Sequence, residues 1–280
     1  MELKVLVDNN TIIDRYYVGE PGVCYLIHDG ERHILFDVGY SDVFMQNAHK
    51  MGEPLIDIDH VVLSHGHNDH TGGLIPLLRF YSEAAAEGRS LTRPTLMAHP
   101  EAFAYKADAE DEIGSVLSAA RLSRHFKLAL SREPQWLTER LVFLGEIPKL
   151  NTFENQVPVG MCGHAETGEM VADFVRDDSA LAYKSAQGLV VITGCSHAGI
   201  CNIIEYAKQV CEDTRIVDVI GGFHLLDPEP GQLQQTLSYF EQLHVPCIHP
   251  CHCTDLKSRF ALSEYVDVRE VGVGLTLRYS

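Results

Sequence analysis

Basic residues are scarce in this chain. Of its 280 residues only 22 are Lys or Arg against 39 Asp or Glu, a formal net charge of −17. Binding to the nucleic-acid backbone rests on Lys and Arg neutralising phosphates, so this balance argues against a general nucleic-acid binder. No apolar stretch approaches the ~20 residues that cross a bilayer. The amino terminus, Met1 to Tyr17, reads as a strand and a polar loop, without the charged-then-apolar pattern of a signal peptide. These absences give the expectation of a cytoplasmic protein with neither a nucleic-acid nor a membrane partner. Eight cysteines are present, but in a long chain lacking an export pattern they read as thiols or ligands, not disulfides. Cys24, Cys162, Cys201, Cys211 and Cys247 are scattered and read as small buried hydrophobes. Cys195, Cys251 and Cys253 stand beside histidines; on a strand Cys251 and Cys253 flank His252 on the opposite face and read as packing around a ligand.

Hydrophobic residues make up 45% of the chain and charged residues 22%, which excludes disorder and fibres and supplies a self-supporting core. Strand-like runs occur at residues 4–8, 23–29, 33–39 and 60–66, separated by Gly, Asp or Pro turns. Between the last two, Ser41 is a candidate cap, Val43, Phe44 and Ala48 recur at helical spacing, and Gly52 is a stop. The pattern from Leu74 to Phe126 is mostly helical around a short strand at 94–100. Residues 127–180 are rich in Gly and Pro and read as hairpins, an insertion or a lid within one domain spanning 1–280. At 188–227 the strand, helix, strand unit returns, with Ile200, Ile203, Ile204 and Ala207 on one helical face. A helix over 232–245 and a strand over 247–253 close the chain. Two similar halves follow, each a mixed sheet with helices outside, and their strand ends face one crevice.

That crevice receives histidines. The stretch SHGHNDHTGG places His65, His67, Asp69 and His70 at a strand end and the turn after it, with Gly72 and Gly73 where backbone passes closely. On a strand His65 and His67 share a face, and two imidazoles aimed the same way chelate one cation. Asp69 and His70, beyond the bend, can turn toward a second. Imidazole with carboxylate suits zinc first, with iron, manganese or nickel as alternatives. One or two divalent ions are expected. Isolated His28, His49, His99, His125 and His244 read as ordinary core or surface residues.

SHGHNDHTGG resembles the His-x-His-x-Asp-His signature of the metallo-β-lactamase superfamily, and FDVG before it is similar to that superfamily's first motif. The resemblance implies an α/β fold, an αβ/βα four-layer sandwich of two mixed sheets flanked by helices. It implies that Asp37 orients a ligand and that His252, in HPCHCT, is the last metal-ligating histidine. ALAYKSAQGLVVITGCSHAGICN, GGFHL and HPCHCT look like the branch named for dihydropterin-ribofuranosyl-aminobenzene phosphate synthase, many of whose bacterial relatives are only called metal-dependent hydrolases. Two positions depart from the superfamily pattern. The usual bridging aspartate is replaced by Gly194-Cys195-Ser196-His197, so His197 as imidazole, preferred here, or Cys195 as thiolate fills the gap. The usual middle histidine is missing before ALAY, where Asp177 and Asp178 stand; His164 is a weaker substitute.

The expected activity is hydrolysis of a small anionic substrate of phosphate, ester or lactone type by metal-activated water at a mono- or dinuclear site. His65, His67 and His197 would hold one metal and Asp69, His70 and His252 the other. Asp69 also orients water, and His224 serves as general acid or contacts an anionic group. The resemblance implies an alternative, a synthase-like transferase in pterin cofactor synthesis, with Lys184, Lys257 and Arg259 as the nearby cations. A non-hydrolytic metal-binding or redox protein is the third reading. Oligomeric state is left open.

Overall fold

The computed structural model describes residues 1–90, 92–163 and 168–280. Seven strands form the first sheet, in the spatial order Thr276–Arg278, Glu2–Val7, Cys24–Asp29, Arg32–Phe36, His60–Val62, Thr95–Ala98, Lys127–Leu130. It is antiparallel up to Arg32–Phe36 and parallel beyond. The second sheet runs His249–Cys251, Ile216–Gly222, Leu189–Thr193, Ala180–Lys184, Leu141–Phe143, Gln135–Trp136, with its parallel pairs at the first end.

Three apolar layers explain why the sheets stack. Leu3, Val5, Tyr25, Phe36 and Val62 of the first sheet meet Phe143, Leu181, Tyr183, Val190 and Ile192 of the second in one buried cluster. The opposite face of the first sheet packs on helices Val43–Met51 and Leu74–Ala86 through Phe44, Ala48, Leu74 and Leu77. The outer face of the second packs on helices Ile200–Cys211 and Pro230–Leu243 through Ile203, Ile204, Ala207 and Phe240. Strands buried on both faces read as continuous apolar runs, as in LVVIT at 189–193, which is buried throughout. The result is the four-layer αβ/βα sandwich. No helix among the described residues is long and apolar enough to cross a membrane.

Local signals hold where the chain is regular. Helix Val43–Met51 ends at Gly52 in the left-handed conformation (φ 77°), and Ser41 Oγ accepts from Val43 N at 3.3 Å, although Asp42 occupies the cap position. The helical pattern over 112–126 is overruled. Only Ala119–Leu122 is helical there, because the backbone around Ile113 is claimed by tertiary partners: Asn68 N donates to Ile113 O and Ile113 N to Lys106 O. The segment 127–180 divides. Lys127–Leu130 and Leu141–Phe143 are strands of the sandwich, whereas Gly160–Gly163 and Met170–Asp173 join Lys106–Asp108 and Asp111–Glu112 in a separate four-stranded sheet. The carboxy-terminal strand Thr276–Arg278 crosses back to pair with Glu2–Val7.

A loop carboxylate anchors helix Ile200–Cys211. Glu154, buried, accepts from Cys201 N and Asn202 N at 2.9 Å each and from Asn151 Nδ2 at 2.7 Å. It thereby satisfies donors that every helix start leaves open. Glu154→Ala should lower unfolding free energy by about 2 kcal/mol, read as a lower urea midpoint at unchanged slope.

Candidate metal centre

Six strand ends open on one crevice, and each is followed by a polar side chain. Asp8 follows Glu2–Val7, Asp37 follows Arg32–Phe36, His65 and His67 follow His60–Val62, Cys195 and His197 follow Leu189–Thr193, His224 follows Ile216–Gly222, and His252 follows His249–Cys251. Four of the residues at this rim, Asp37, Ser196, His224 and His252, have left-handed backbone (φ 49–60°). For a non-glycine residue each such turn costs about 1 kcal/mol, and it reverses the chain sharply enough to re-aim the side chain.

Asp37 organises the first motif. Its Oδ1 accepts from Ser64 N and its Oδ2 from Ser64 Oγ and His70 Nδ1, all at 2.7 Å and fully buried. Because Ser64 Oγ gives its proton to Asp37, it accepts from His65 Nδ1 at 2.9 Å, and His65 Nε2 is left with a lone pair. The same logic sets His70, whose Nδ1–H is on Asp37, and His252, whose Nδ1 lies 3.2 Å from Asn9 Oδ1. In each ring one nitrogen is tied outward and the other is free to ligate, as metal-binding histidines require. Gly72 and Gly73 let the turn pass: a Cβ at these positions would lie 2.2 Å from Tyr40 O and 2.0 Å from Val38 O respectively.

The freed atoms gather in two groups. His65, His67 and His197 form one, and Asp69, His70, Cys195 and His252 the other, with the ligand atoms of each within 4.8 Å of one another. His65 Nε2 lies 3.0 Å from His67 Nδ1. His70 Nε2 lies 3.2 Å from Cys195 Sγ and 3.3 Å from His252 Nε2, and Asp69 Oδ2 lies 3.3 Å from His252 Nε2. His67 Nε2 and both ring nitrogens of His197 are buried without a hydrogen-bond partner. Orphaned buried nitrogens are costly, and a cation between them supplies the missing contact. The residues present therefore fit a pair of divalent ions, one in an all-imidazole cage and one in a mixed cage of nitrogen, oxygen and sulfur donors.

Electrostatics differ between the groups. In the chain alone, burial and the neighbouring imidazoles hold His65 and His197 well below the ordinary histidine range, and burial brings His67 down to about 4. These rings are neutral, the ligating form. Burial opposes charge on His70 as well, but the carboxylates of Asp69 and Asp37 outweigh it and raise His70 to about 9. Burial pushes the Cys195 thiol up.

Several expectations need correction. His65 and His67 do not share a strand face: the ladder stops at Val62, and His67 is the cap of the short helix Asn68–Thr71. Cys195 and His197 are not alternatives, since each enters a different group. Cys251 and Cys253 do not lie together behind His252. The left-handed turn there sends Cys251 Sγ to Tyr25 Oη in the core at 3.2 Å, while Cys253 Sγ donates to Cys195 O at 3.3 Å and lines the crevice. Lys184 Nζ donates to Cys211 O and Arg259 Nε to Thr254 O. Neither these nor Lys257 line the crevice, whose described walls contain no lysine or arginine. Asp177 and Asp178 stay outside both groups: Asp177 accepts from Gly66 N and from buried Lys106 Nζ, and Asp178 from Ala198 N. His164 lies outside the described residues.

Asp8, Asn9 and Lys106 were not singled out from the sequence. Asp8 and Asn9 had a usable signal, being polar residues at the end of an apolar strand, and Asp8 Oδ1 accepts from His252 N at 3.0 Å. Lys106 had none. The crevice encloses 610 Å³, with Tyr40, Ile113, Val159 and Leu226 as apolar walls and His224 at its side, that ring 4.3 Å from His197.

Comparison with known proteins agrees with this fold. The model of the metallo-β-lactamase superfamily matches residues 17–147. The chain is 30% identical over 263 residues, 94% of each chain, to the uncharacterized protein MJ0448 of Methanocaldococcus jannaschii. It is also 30% identical over 241 residues, 81% of this chain and 77% of the relative, to the 7,8-dihydropterin-6-methyl-4-(β-D-ribofuranosyl)-aminobenzene-5′-phosphate synthase of that organism. Among solved structures, Tm1679, described as a metal-dependent hydrolase of the β-lactamase superfamily, superposes with a TM-score of 0.83 at 29% identity over 100% of this chain and 99% of its own. The chain belongs to the metallo-β-lactamase superfamily.

Asp37→Ala would strand Ser64 N and His70 Nδ1 in a dry interior. A loss of about 3 kcal/mol in unfolding free energy is expected, measured by urea denaturation of chelator-treated protein so that any metal contribution is removed.

Proposed function

We propose that the protein is a metal-dependent hydrolase acting on a small anionic substrate of phosphate, ester or lactone type. The observation carrying this reading is the gathering of seven ligand-type side chains into two adjoining groups, the first of which buries three ring nitrogens without partners. In this reading His65, His67 and His197 hold one ion and Asp69, His70, Cys195 and His252 the other, with zinc the expected metal and iron, manganese and nickel the alternatives. A divalent ion there supplies a Lewis acid that lowers the pKa of water from about 16 toward about 7 and neutralises developing negative charge.

The chain's own residues do the remaining work. Asp69, partly exposed to the crevice, accepts a hydrogen bond from the incoming water and orients it. His224 donates a proton to the leaving group: although burial opposes its charge, contact with Cys253 raises its proton affinity. With no lysine or arginine on the described walls, ions held by the two ligand groups would supply the positive charge that an anionic substrate needs. The apolar walls exclude competing water.

A second reading is favoured by the 30% identity to the dihydropterin synthase: condensation of a dihydropterin pyrophosphate with an aminobenzene ribofuranosyl phosphate. Incubation with that pair separates the two, since only the transferase forms a new carbon–nitrogen bond.

His67→Ala should lower phosphodiester turnover at least about 100-fold with unchanged circular dichroism and reduced metal content by elemental analysis; unaltered turnover overturns the scheme. Metal uptake at pH 7 has a sign as well. His70, at about 9, is protonated there and Cys195 is a thiol, so loading the mixed cage releases roughly one to two protons. The all-imidazole cage, with His67 near 4, releases none. Zinc titration of chelator-stripped protein in a weakly buffered indicator solution reads the difference between wild type and Cys195→Ala.

A further inference from the structure

Beside the crevice a second cavity, of 340 Å³, shares His197 and His224 with it and continues the same site. A third donor group lies away from both. Asp218, Cys247 and His249 bring a carboxylate oxygen, a sulfur and a ring nitrogen within 4.8 Å of one another. His249 opens the strand whose other end is followed by His252, so this group and the crevice occupy opposite ends of one short strand.

The sheet register explains the convergence. Ile220 pairs with His249 in the parallel ladder, and side chains alternate along a strand, so Asp218 and His249 project from one face. Cys251, two residues beyond His249, lies in the core shared with the first sheet, which marks the face as the inner one. Tyr279, just past the carboxy-terminal strand of the first sheet, reaches across the gap. Its Oη donates to Asp218 Oδ2 at 2.7 Å, while His249 Nδ1 lies 2.8 Å from Asp218 Oδ1.

The charge of this group lacks a fixed counterpart. Asp218 and His249 are buried, and among the described residues no lysine or arginine pairs with Asp218, whose one ion-pair contact is His249. A buried carboxylate without a cation beside it is costly. Elsewhere the chain meets that cost directly, with Lys106 set between buried Asp173 and Asp177. Here Arg269, on the adjoining segment, is taken by Asp267. Cys247 reads from the sequence as a buried hydrophobe, yet it is only half-buried and gives solvent a route to the group. Nor do the three atoms form a nucleophilic relay. In a thiol, imidazole, carboxylate relay the ring stands between the other two, whereas here thiol and carboxylate also approach each other, as donors around a shared ion do.

We propose that Asp218, Cys247 and His249 form a further zinc site, separate from the crevice, with three protein ligands and a fourth position open to water. Imidazole, thiolate and carboxylate are ordinary zinc donors, and the thiolate disfavours magnesium and calcium. On binding, the Cys247 thiol gives up its proton to solvent. The ion ties the chain entering strand His249–Cys251 to strand Ile216–Gly222, and so braces the edge strand that delivers His252. This site does not depend on the hydrolase reading.

Alkylation by N-ethylmaleimide, followed residue by residue with peptide mass spectrometry, tests it on the chelator-treated full chain with and without added zinc. Zinc should slow modification of Cys247 about tenfold or more. Asp218→Asn and His249→Gln should abolish that protection, while the pair His65→Ala, His252→Ala, which removes a ligand from each crevice group, should retain it. Cys247→Ala, at a half-buried position, covers the case in which the buried variants fail to fold. After dialysis against zinc it should hold about one zinc fewer per chain than the wild type by elemental analysis, with circular dichroism unchanged. Modification of Cys247 at the same rate with and without zinc overturns the proposal. So does protection that survives Asp218→Asn and is lost in the crevice pair, or wild-type zinc content in Cys247→Ala. None of these readouts involves turnover, so their failure leaves the hydrolase reading standing.

Discussion

The carboxylate of Asp37 is the fixed point around which the crevice is built. It sits at the end of a fully buried strand segment and uses its two oxygens on three donors, Ser64 N, Ser64 Oγ and His70 Nδ1. A buried carboxylate is tolerated only when its hydrogen bonds are complete, so the demand runs outward. Satisfying it fixes the turn after Val62, fixes the tautomer of His70, and through Ser64 fixes that of His65. One ring in each ligand cluster thus inherits its orientation from one charge that no solvent reaches.

The clusters it organises are chemically unequal. Three imidazoles with depressed proton affinity form one, a cage whose rings are uncharged at neutral pH. The other combines Asp69, His70, His252 and Cys195, and it holds protons tightly in the chain alone. A thiolate among its donors favours softer ions. Two donor groups a few ångströms apart therefore differ in donor chemistry and pH response, because burial lowers the proton affinity of the first group's imidazoles whereas the carboxylates of Asp69 and Asp37 raise that of His70.

How much of this could be read from residues alone depends on the range of the interaction. The motif His65, His67, Asp69, His70 was legible because its spacing is local, and the apolar runs at 24–29, 189–193 and 216–222 were legible because burial on both faces leaves a continuous hydrophobic signal. The helical pattern over 112–126 misled because Asn68, far along the chain, and Lys106, on the neighbouring strand, capture the backbone at Ile113. The reading of Cys253 as lying behind His252 failed for a different reason. Strand alternation was assumed through a position where His252 adopts φ 49°, and nothing in a histidine codon announces a left-handed turn. Residues 127–180 were opaque because their short strands take part in three separate sheets.

Composition and local order by themselves determined that this is an acidic α/β protein with a histidine-rich ligand motif, since charge count, strand alternation and turn chemistry are properties of neighbouring residues. Which donors share a cluster, that Cys195 and His197 part company, and that a second cavity adjoins the crevice were decided only by the tertiary structure. Those relations join strand ends far apart in the chain, 182 residues between His70 and His252. Burial of the two sheets against each other, not any local preference, brings them within bonding distance.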